Sequence, residues 1–214
     1  SRYAAIVGHY DLVVDETSGQ TVNKWTDGEF TKALRHGHWI LLDEWDRCPE
    51  GIAVILQAVL EQGGSLLVPE TGEVIPRHAN TFILATGNTN GRGDETGMFT
   101  AARVMDEATM DRFGVTIEAD YPNAETEATI LKEWGASESN ARKMVEIASK
   151  VREAQANQTC YCTLSTRRLI AWADKATKLG DIRKASKITV TNRLHGDDRA
   201  FVDGLIQRYF GGQV

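Results

Sequence analysis

At 214 residues, 42% hydrophobic and 25% charged, the chain suits one large domain, or a medium one with a small satellite, and has an ordinary soluble globular composition. No stretch approaches the roughly 18 uncharged apolar residues that cross a bilayer, and no charged-then-apolar leader opens the chain, so a soluble cytoplasmic protein without a membrane partner is expected. The net charge of -6 argues against a nonspecific nucleic-acid surface.

The opening SRYAAIVGHYDLVV begins abruptly with Ser1 and reads as the interior of a longer module. The segment DGEFTKALRHG predicts a short helix with Asp27 as N-cap and Gly37 past its end. It delivers the chain into an apolar strand at Trp39–Leu42 that runs straight into two carboxylates, Asp43 and Glu44. Pro49 then starts an amphipathic helix with Ile52, Ile55, Leu56, Val59 and Leu60 on its apolar face, ending at Gly63-Gly64. SLLVPETGEVIPR predicts a β-hairpin turning at Glu70–Glu73.

A second apolar strand is expected at Thr81–Asn88, TFILATGN, followed by the glycine-rich loop TNGRGDETG. Helical patterning resumes at Ala101–Thr109, and FGVTIEADYP reads as a third strand ending at Pro122. From Asn123 onward the patterning is almost entirely helical. The expected fold class is therefore α/β, a parallel sheet covered on two faces over residues 1–122, followed by an all-helical part over 123–214. The five tryptophans, Trp25, Trp39, Trp45, Trp134 and Trp172, are expected to be packing residues. Cys160 and Cys162 are too closely spaced for an ordinary disulfide or a four-ligand zinc site, and with Cys48 are expected to be reduced thiols.

In open α/β sheets ligands sit beyond the carboxyl ends of the strands, where Asp43, Glu44 and Asn88 are all expected. A strand-end Asp can hold Mg²⁺ directly or through water, because this hard cation prefers oxygen ligands. A neighbouring Glu can polarise a water for in-line attack on a phosphate, and a neutral Asn can orient that water without adding repulsion. The plain alternatives are a solvated strand end for Asp43 and Glu44, with Asp46 capping the next helix, and an Asx-turn for Asn88.

WILLDE resembles the Walker B motif of AAA+ ATPases and FILATGN their sensor 1 strand; ATMDRF is similar to the arginine-finger segment of the MoxR-type branch and LSTRRLIAW to its sensor 2 helix. LLDEWDRCPEGIAVILQAVLE and ATGNTNGRGDETGMF are most similar to the subfamily of the aerobic cobaltochelatase ATPase subunit. The resemblance implies a partial AAA+ core over residues 1–122, with the hairpin as an insert before sensor 1, and a helical lid over 123–214. It implies ATP and Mg²⁺ as cofactors, with Asp43 holding the metal through water, Glu44 and Asn88 catalytic, and Arg112 a finger serving a neighbouring subunit. Arg103 is a second candidate finger, and Arg167, rather than Arg168, is the sensor 2 contact to the nucleotide. It also implies a ring, expected to be a hexamer, that remodels a partner protein, a von Willebrand A-type domain being one form such partners take.

The family's phosphate loop, GxxxxGK[ST], has no counterpart here: no Gly-Lys pair occurs in the sequence. By motif order Ser1 falls just past the family's second strand, so the loop is expected upstream. Two other readings compete: a non-hydrolytic assembly module, and a DNA-linked motor, which the acidic charge disfavours. Arg112 has a further plain alternative as a surface partner of Asp111, and Arg167 as a solvated helix residue.

Overall fold

The computed structural model describes residues 2–17, 19–89, 93 and 102–212. The chain divides into two compact units, residues 1–116 and 117–214.

The first unit runs α1 (Arg2–Ile6), β1 (Gly8–Val14), β2 (Thr21–Asp27), α2 (Glu29–His36), β3 (Ile40–Leu42), a 3-10 turn (Trp45–Arg47), α3 (Glu50–Leu60), β4 (Ser65–Val68), β5 (Glu73–Pro76), β6 (Ile83–Ala85) and α4 (Glu107–Met110). β3 and β6 pair in parallel, Ile40 opposite Ile83 and Leu42 opposite Ala85. β4 and β5 form the expected antiparallel hairpin. Leu34, Leu56, Val59, Leu66, Val68 and Ile75 make the buried centre of this unit.

The structure differs from the sequence reading at several points. β1 and β2 form an antiparallel hairpin that was not anticipated. Asp27 ends β2 and does not cap α2; its carboxylate takes hydrogen bonds from Trp25 Nε1 and Arg35 Nε. The N-cap is Gly28, where a Cβ would lie 2.4 Å from the Ile6 carbonyl oxygen, so the close approach of α1 selects glycine over a capping side chain. Gly37 does close the helix, in a left-handed conformation at φ 72°.

The expected strand at Thr81–Asn88 is confined to Ile83–Ala85, where β3 offers its short ladder. Sheet faces alternate with period two, so Ile40 is buried while Leu41 and Leu84, with Trp39 and Phe82, point outward and are exposed. Among the described residues of this unit, nothing covers the face that carries Trp39, Leu41, Phe82 and Leu84. FGVTIEADYP forms no strand: Val115 and Ile117 are 78% and 83% exposed, because alternation without a partner edge provides no ladder for the backbone. Of the helix expected at 101–109, only Glu107–Met110 is helical among the described residues. Most of the glycine-rich loop lies outside the described residues.

The second unit contains α5 (Ala124–Glu133), α6 (Glu138–Ala156), α7 (Thr166–Leu179), α8 (Ile182–Thr189), a 3-10 turn (Thr191–Arg193) and α9 (Gly196–Phe210). Asn123, Ser137, Ser165 and Asp181 each accept a first-turn backbone N–H, which fixes where α5 to α8 begin. Leu131, Met144, Ile147, Val151, Leu169, Trp172 and Phe210 form the core. Trp172 meets Phe210 edge-on at 5.7 Å and donates its indole N–H to the Ile182 carbonyl at 2.8 Å. Trp45 is buried, as expected of a packing residue, whereas Trp39 and Trp134 are exposed.

A buried ion pair joins three segments of this unit. Glu127, 1% exposed, receives both Arg152 Nη1 (3.0 Å) and Nη2 (2.7 Å), while Thr166 donates its hydroxyl to the same carboxylate at 2.6 Å. Arg152 also donates from Nε to the Leu164 carbonyl, and its guanidinium lies 3.6 Å from the Tyr121 ring centroid. Removing one partner of such a pair strands a buried charge, which costs roughly 3–5 kcal/mol. Arg152→Ala is expected to destabilise the chain by about that much in urea unfolding, and the double variant Arg152→Met/Glu127→Leu to recover most of the loss.

Candidate functional site

The parallel register brings the carboxyl ends of β3 and β6 to one edge, and the residues just beyond them interlock. Thr86 N–H donates to the Leu42 carbonyl at 3.0 Å, and Trp45 N–H to the Thr86 carbonyl at 2.7 Å. The Thr86 hydroxyl donates to Asp43 Oδ1 at 2.6 Å and accepts the Glu44 N–H at 3.1 Å. One hydroxyl thus fixes both the carboxylate of Asp43 and the backbone of Glu44.

Glu44 holds φ 51°, in the left-handed region, which costs a non-glycine residue roughly 1–2 kcal/mol. That backbone reversal opens the 3-10 turn and sends Trp45 inward, where its ring meets Phe113 edge-on, while the Glu44 side chain stays exposed. Arg47 Nη1 reaches the Glu44 carboxylate at 3.0 Å. The pair is exposed, so it contributes little to stability and holds Glu44 only loosely.

Asp46 is 2% exposed and is no mere helix cap. Its Oδ2 accepts the Asn88 N–H at 2.8 Å and the Thr89 hydroxyl at 3.1 Å. Its carbonyl accepts the Arg103 N–H at 2.8 Å. A buried carboxylate therefore fastens the segment after β6 to the turn after β3, and so sets where the exposed Asn88 stands relative to Asp43 and Glu44.

Asp43 and Glu44 open onto a cleft of about 1170 Å³ that Glu29, Phe30, His38, Arg47 and Arg103 also line. Arg103, the second-choice finger from sequence, is thus at the cleft. Arg112 is held elsewhere, by Glu61 at 2.5 Å and by the Ala108 carbonyl. Glu61 directly follows α3, and neither it nor Arg112 lines the cleft. In the second unit, Arg167 is exposed in the first turn of α7 and makes no ion pair among the described residues. Arg168 is tied back to the Thr189 carbonyl at 2.9 Å, and its pKa is lowered by burial and by the charge of Arg193.

The site offers hard oxygen donors at an exposed edge, with Asp43 Oδ2 left over from the bond to Thr86. That donor set suits Mg²⁺ bound through water. Nucleotide phosphates additionally need a backbone cradle and a Lys, and residues 1–214 hold no Gly-Lys pair.

Residues 1–113 match the AAA domain family, dynein-related subfamily, and residues 126–208 match the C-terminal domain of the CbbQ/NirQ/NorQ family. The chain belongs to the AAA family. It is 32% identical over 212 residues to the aerobic cobaltochelatase subunit CobS of a Sinorhizobium species, covering 96% of this chain and 63% of that protein. It is 29% identical over 178 residues to protein NorQ of Paracoccus denitrificans, covering 83% of this chain and 60% of NorQ. It is 26% identical over 202 residues to the denitrification regulatory protein NirQ of Pseudomonas aeruginosa, covering 94% of this chain and 74% of NirQ. These relatives place it in the MoxR-type branch, close to the cobaltochelatase subunit, although it spans less than two thirds of that subunit. No helix among the described residues is long and apolar enough to cross a membrane.

Sequence reasoning missed two residues of this AAA edge. Thr86 carried a faint signal, a hydroxyl directly after an apolar strand. Asp46 carried none, since an Asp ahead of a helix reads as a cap. Asp46→Ala leaves the Asn88 N–H and the Thr89 hydroxyl without their acceptor, and hydrogen bonds to a charged group contribute roughly 1.5–3 kcal/mol. A destabilisation of about 2 kcal/mol is expected, together with faster amide hydrogen exchange at Asn88 and no change at the indole of Trp172 in the core of the second unit.

Proposed function

We propose that this chain is the Walker B, sensor and lid portion of a cytoplasmic AAA+ ATPase that couples Mg-ATP hydrolysis to remodelling of a partner protein. The observation that carries the reading is the parallel β3–β6 edge, where one threonine hydroxyl joins Asp43 to the backbone of Glu44 and Asp46 fixes Asn88 alongside. In this reading Asp43 holds the Mg²⁺ through water, Glu44 accepts a proton from the attacking water, and Asn88 orients that water. The Mg²⁺ neutralises phosphate charge when bound. The phosphate cradle, a Gly-Lys-Thr loop in this reading, is not among residues 1–214, which hold no Gly-Lys pair. Arg167 reaches the nucleotide from the lid.

Arg112 serves a neighbouring subunit in a ring, with a hexamer as the expected form. Its ion pair with Glu61, among residues that do not line the cleft of Asp43 and Glu44, supports this. A permanently charged guanidinium, with its fork of donors, suits the γ-phosphoryl oxygens, and an arginine supplied from another molecule contributes about 10³ to 10⁵ in rate. The substrate of remodelling is a protein partner, with a von Willebrand A-type domain as one form it takes. The likeness to the cobaltochelatase subunit supports a partner that handles a metal.

Three outcomes follow. Residues 1–214 alone bind Mg-ATP weakly in isothermal titration; micromolar affinity would mean that another loop holds the phosphates. In a longer chain carrying the Gly-Lys-Thr segment, Glu44→Gln abolishes turnover and spares nucleotide binding, whereas Asp43→Asn raises the Mg²⁺ requirement. Near-normal activity in both would reject the Walker B assignment. In that same longer chain, Arg112→Ala leaves ATP binding nearly intact and cuts hydrolysis by about 10³ or more. Mixing it with an excess of Glu44→Gln subunits restores part of the activity, and mixed rings that recover none would return Arg112 to a structural role with Glu61.

A further inference from the structure

The connection between α6 and α7 carries Cys160, Tyr161 and Cys162, and both thiols are buried, 2% and 8% exposed. Their sulfurs lie 3.1 Å apart. Two sulfurs alone make no metal site, and the chain around them offers no further ligand at a useful spacing. The tertiary fold supplies one. Asp198, in the first turn of α9, accepts the Tyr161 N–H at 3.0 Å through Oδ1, which pins its carboxylate to the cysteine turn. A carboxylate oxygen and the two sulfurs all lie within 4.8 Å of one another.

We propose that Cys160, Cys162 and Asp198 form a thiolate-rich site for a borderline divalent cation of the Zn²⁺ class, with water in the fourth position. Thiolate sulfurs bind zinc at about 2.3 Å and carboxylate oxygens at about 2.0–2.2 Å, so tetrahedral ligands around one ion stand roughly 3.5–4 Å apart. The sulfurs, 3.1 Å apart, need to part by less than about 1 Å to reach that spacing, and the carboxylate oxygen, within 4.8 Å of both, needs to close by about 1 Å at most. Binding exchanges the two thiol protons for the cation, with no change of oxidation state. Two thiolates, a carboxylate and a dication carry a net charge of minus one; burial, with Cys160 and Asp198, pushes the Cys162 thiol up to about 12 against the opposing charge of Arg193, so the cation has to displace its proton. A disulfide between the two cysteines would close the sulfurs to about 2.05 Å and leave Asp198 without a part in the chemistry. The pinned carboxylate is what favours a cation. Three protein ligands and an open position are the arrangement of sites that exchange or activate something at the metal, as opposed to closed structural ones.

The test is titration of the reduced chain of residues 1–214 with Co²⁺ as a spectroscopic substitute, followed by Zn²⁺. Expected is a sulfur-to-cobalt charge-transfer band that saturates at one ion per chain and is displaced by Zn²⁺. Cys162→Ser should remove the band and Cys48→Ser should leave it unchanged. Asp198→Asn preserves the shape and removes the charge; it should weaken Zn²⁺ binding by more than about tenfold, since even groups that only support metal ligands contribute that much. Because Asp198 is only partly buried, that variant tests the site even where a cysteine variant fails to fold. A folded, reduced chain with no charge-transfer band overturns the proposal. So does a band that survives Cys162→Ser, or a Cys160–Cys162 disulfide in a chain that binds no Co²⁺ once reduced.

Discussion

Three residues of parallel pairing, Ile40–Leu42 against Ile83–Ala85, set the position of everything functional in the first unit. A parallel pair aligns both carboxyl ends at one edge, so the residues that leave β3 and those that leave β6 emerge side by side. The register is what matters. A slip of one residue would turn Ile40 outward and carry Thr86 away from Asp43, because side chains alternate faces with period two. Burial of Ile40 against the core resists that slip.

So short a ladder contributes few hydrogen bonds, and polar contacts beyond its end complete the pairing. Thr86 joins Asp43 to Glu44, and Asp46 joins the opposite segment through Asn88 and Thr89. The two carboxylates Asp43 and Asp46 have divided roles that their environments explain. Asp43 is exposed, so its spare oxygen is available to a hydrated cation. Asp46 is buried and gives its Oδ2 to a backbone and a hydroxyl donor. The left-handed turn at Glu44 separates them, directing Asp43 and Glu44 to the cleft and Trp45 and Asp46 to the interior.

The outward face of the same strands shows another consequence of the pleat. Trp39, Leu41, Phe82 and Leu84 form an apolar face that the first unit does not cover, and Val115 and Ile117 extend as unpaired chain. Exposed apolar residues grouped on a strand pair call for a partner surface. The second unit is built differently, on local signals: side-chain caps start its helices, a continuous apolar core fills the space between them, and Glu127 with Arg152 joins α5, α6 and the turn before α7.

Sequence alone determined what depends on neighbours along the chain. Apolar periodicity located α3 and the helical character of the chain after Asn123, turn chemistry located the β4–β5 hairpin, and the run of four motifs indicated the AAA family, because each is written in consecutive residues. It misjudged FGVTIEADYP, since alternation states which residues can face a partner and says nothing of whether one is there. Only the tertiary structure decided which groups meet across the fold. It placed Thr86 on Asp43, 43 positions apart, joined Asp46 to Asn88, 42 apart, and brought Asp198 to Tyr161, 37 apart. Such contacts between a short polar side chain and a distant backbone leave no periodic trace, because their donors and acceptors are common to nearly every residue and only the packing of the elements selects the pair.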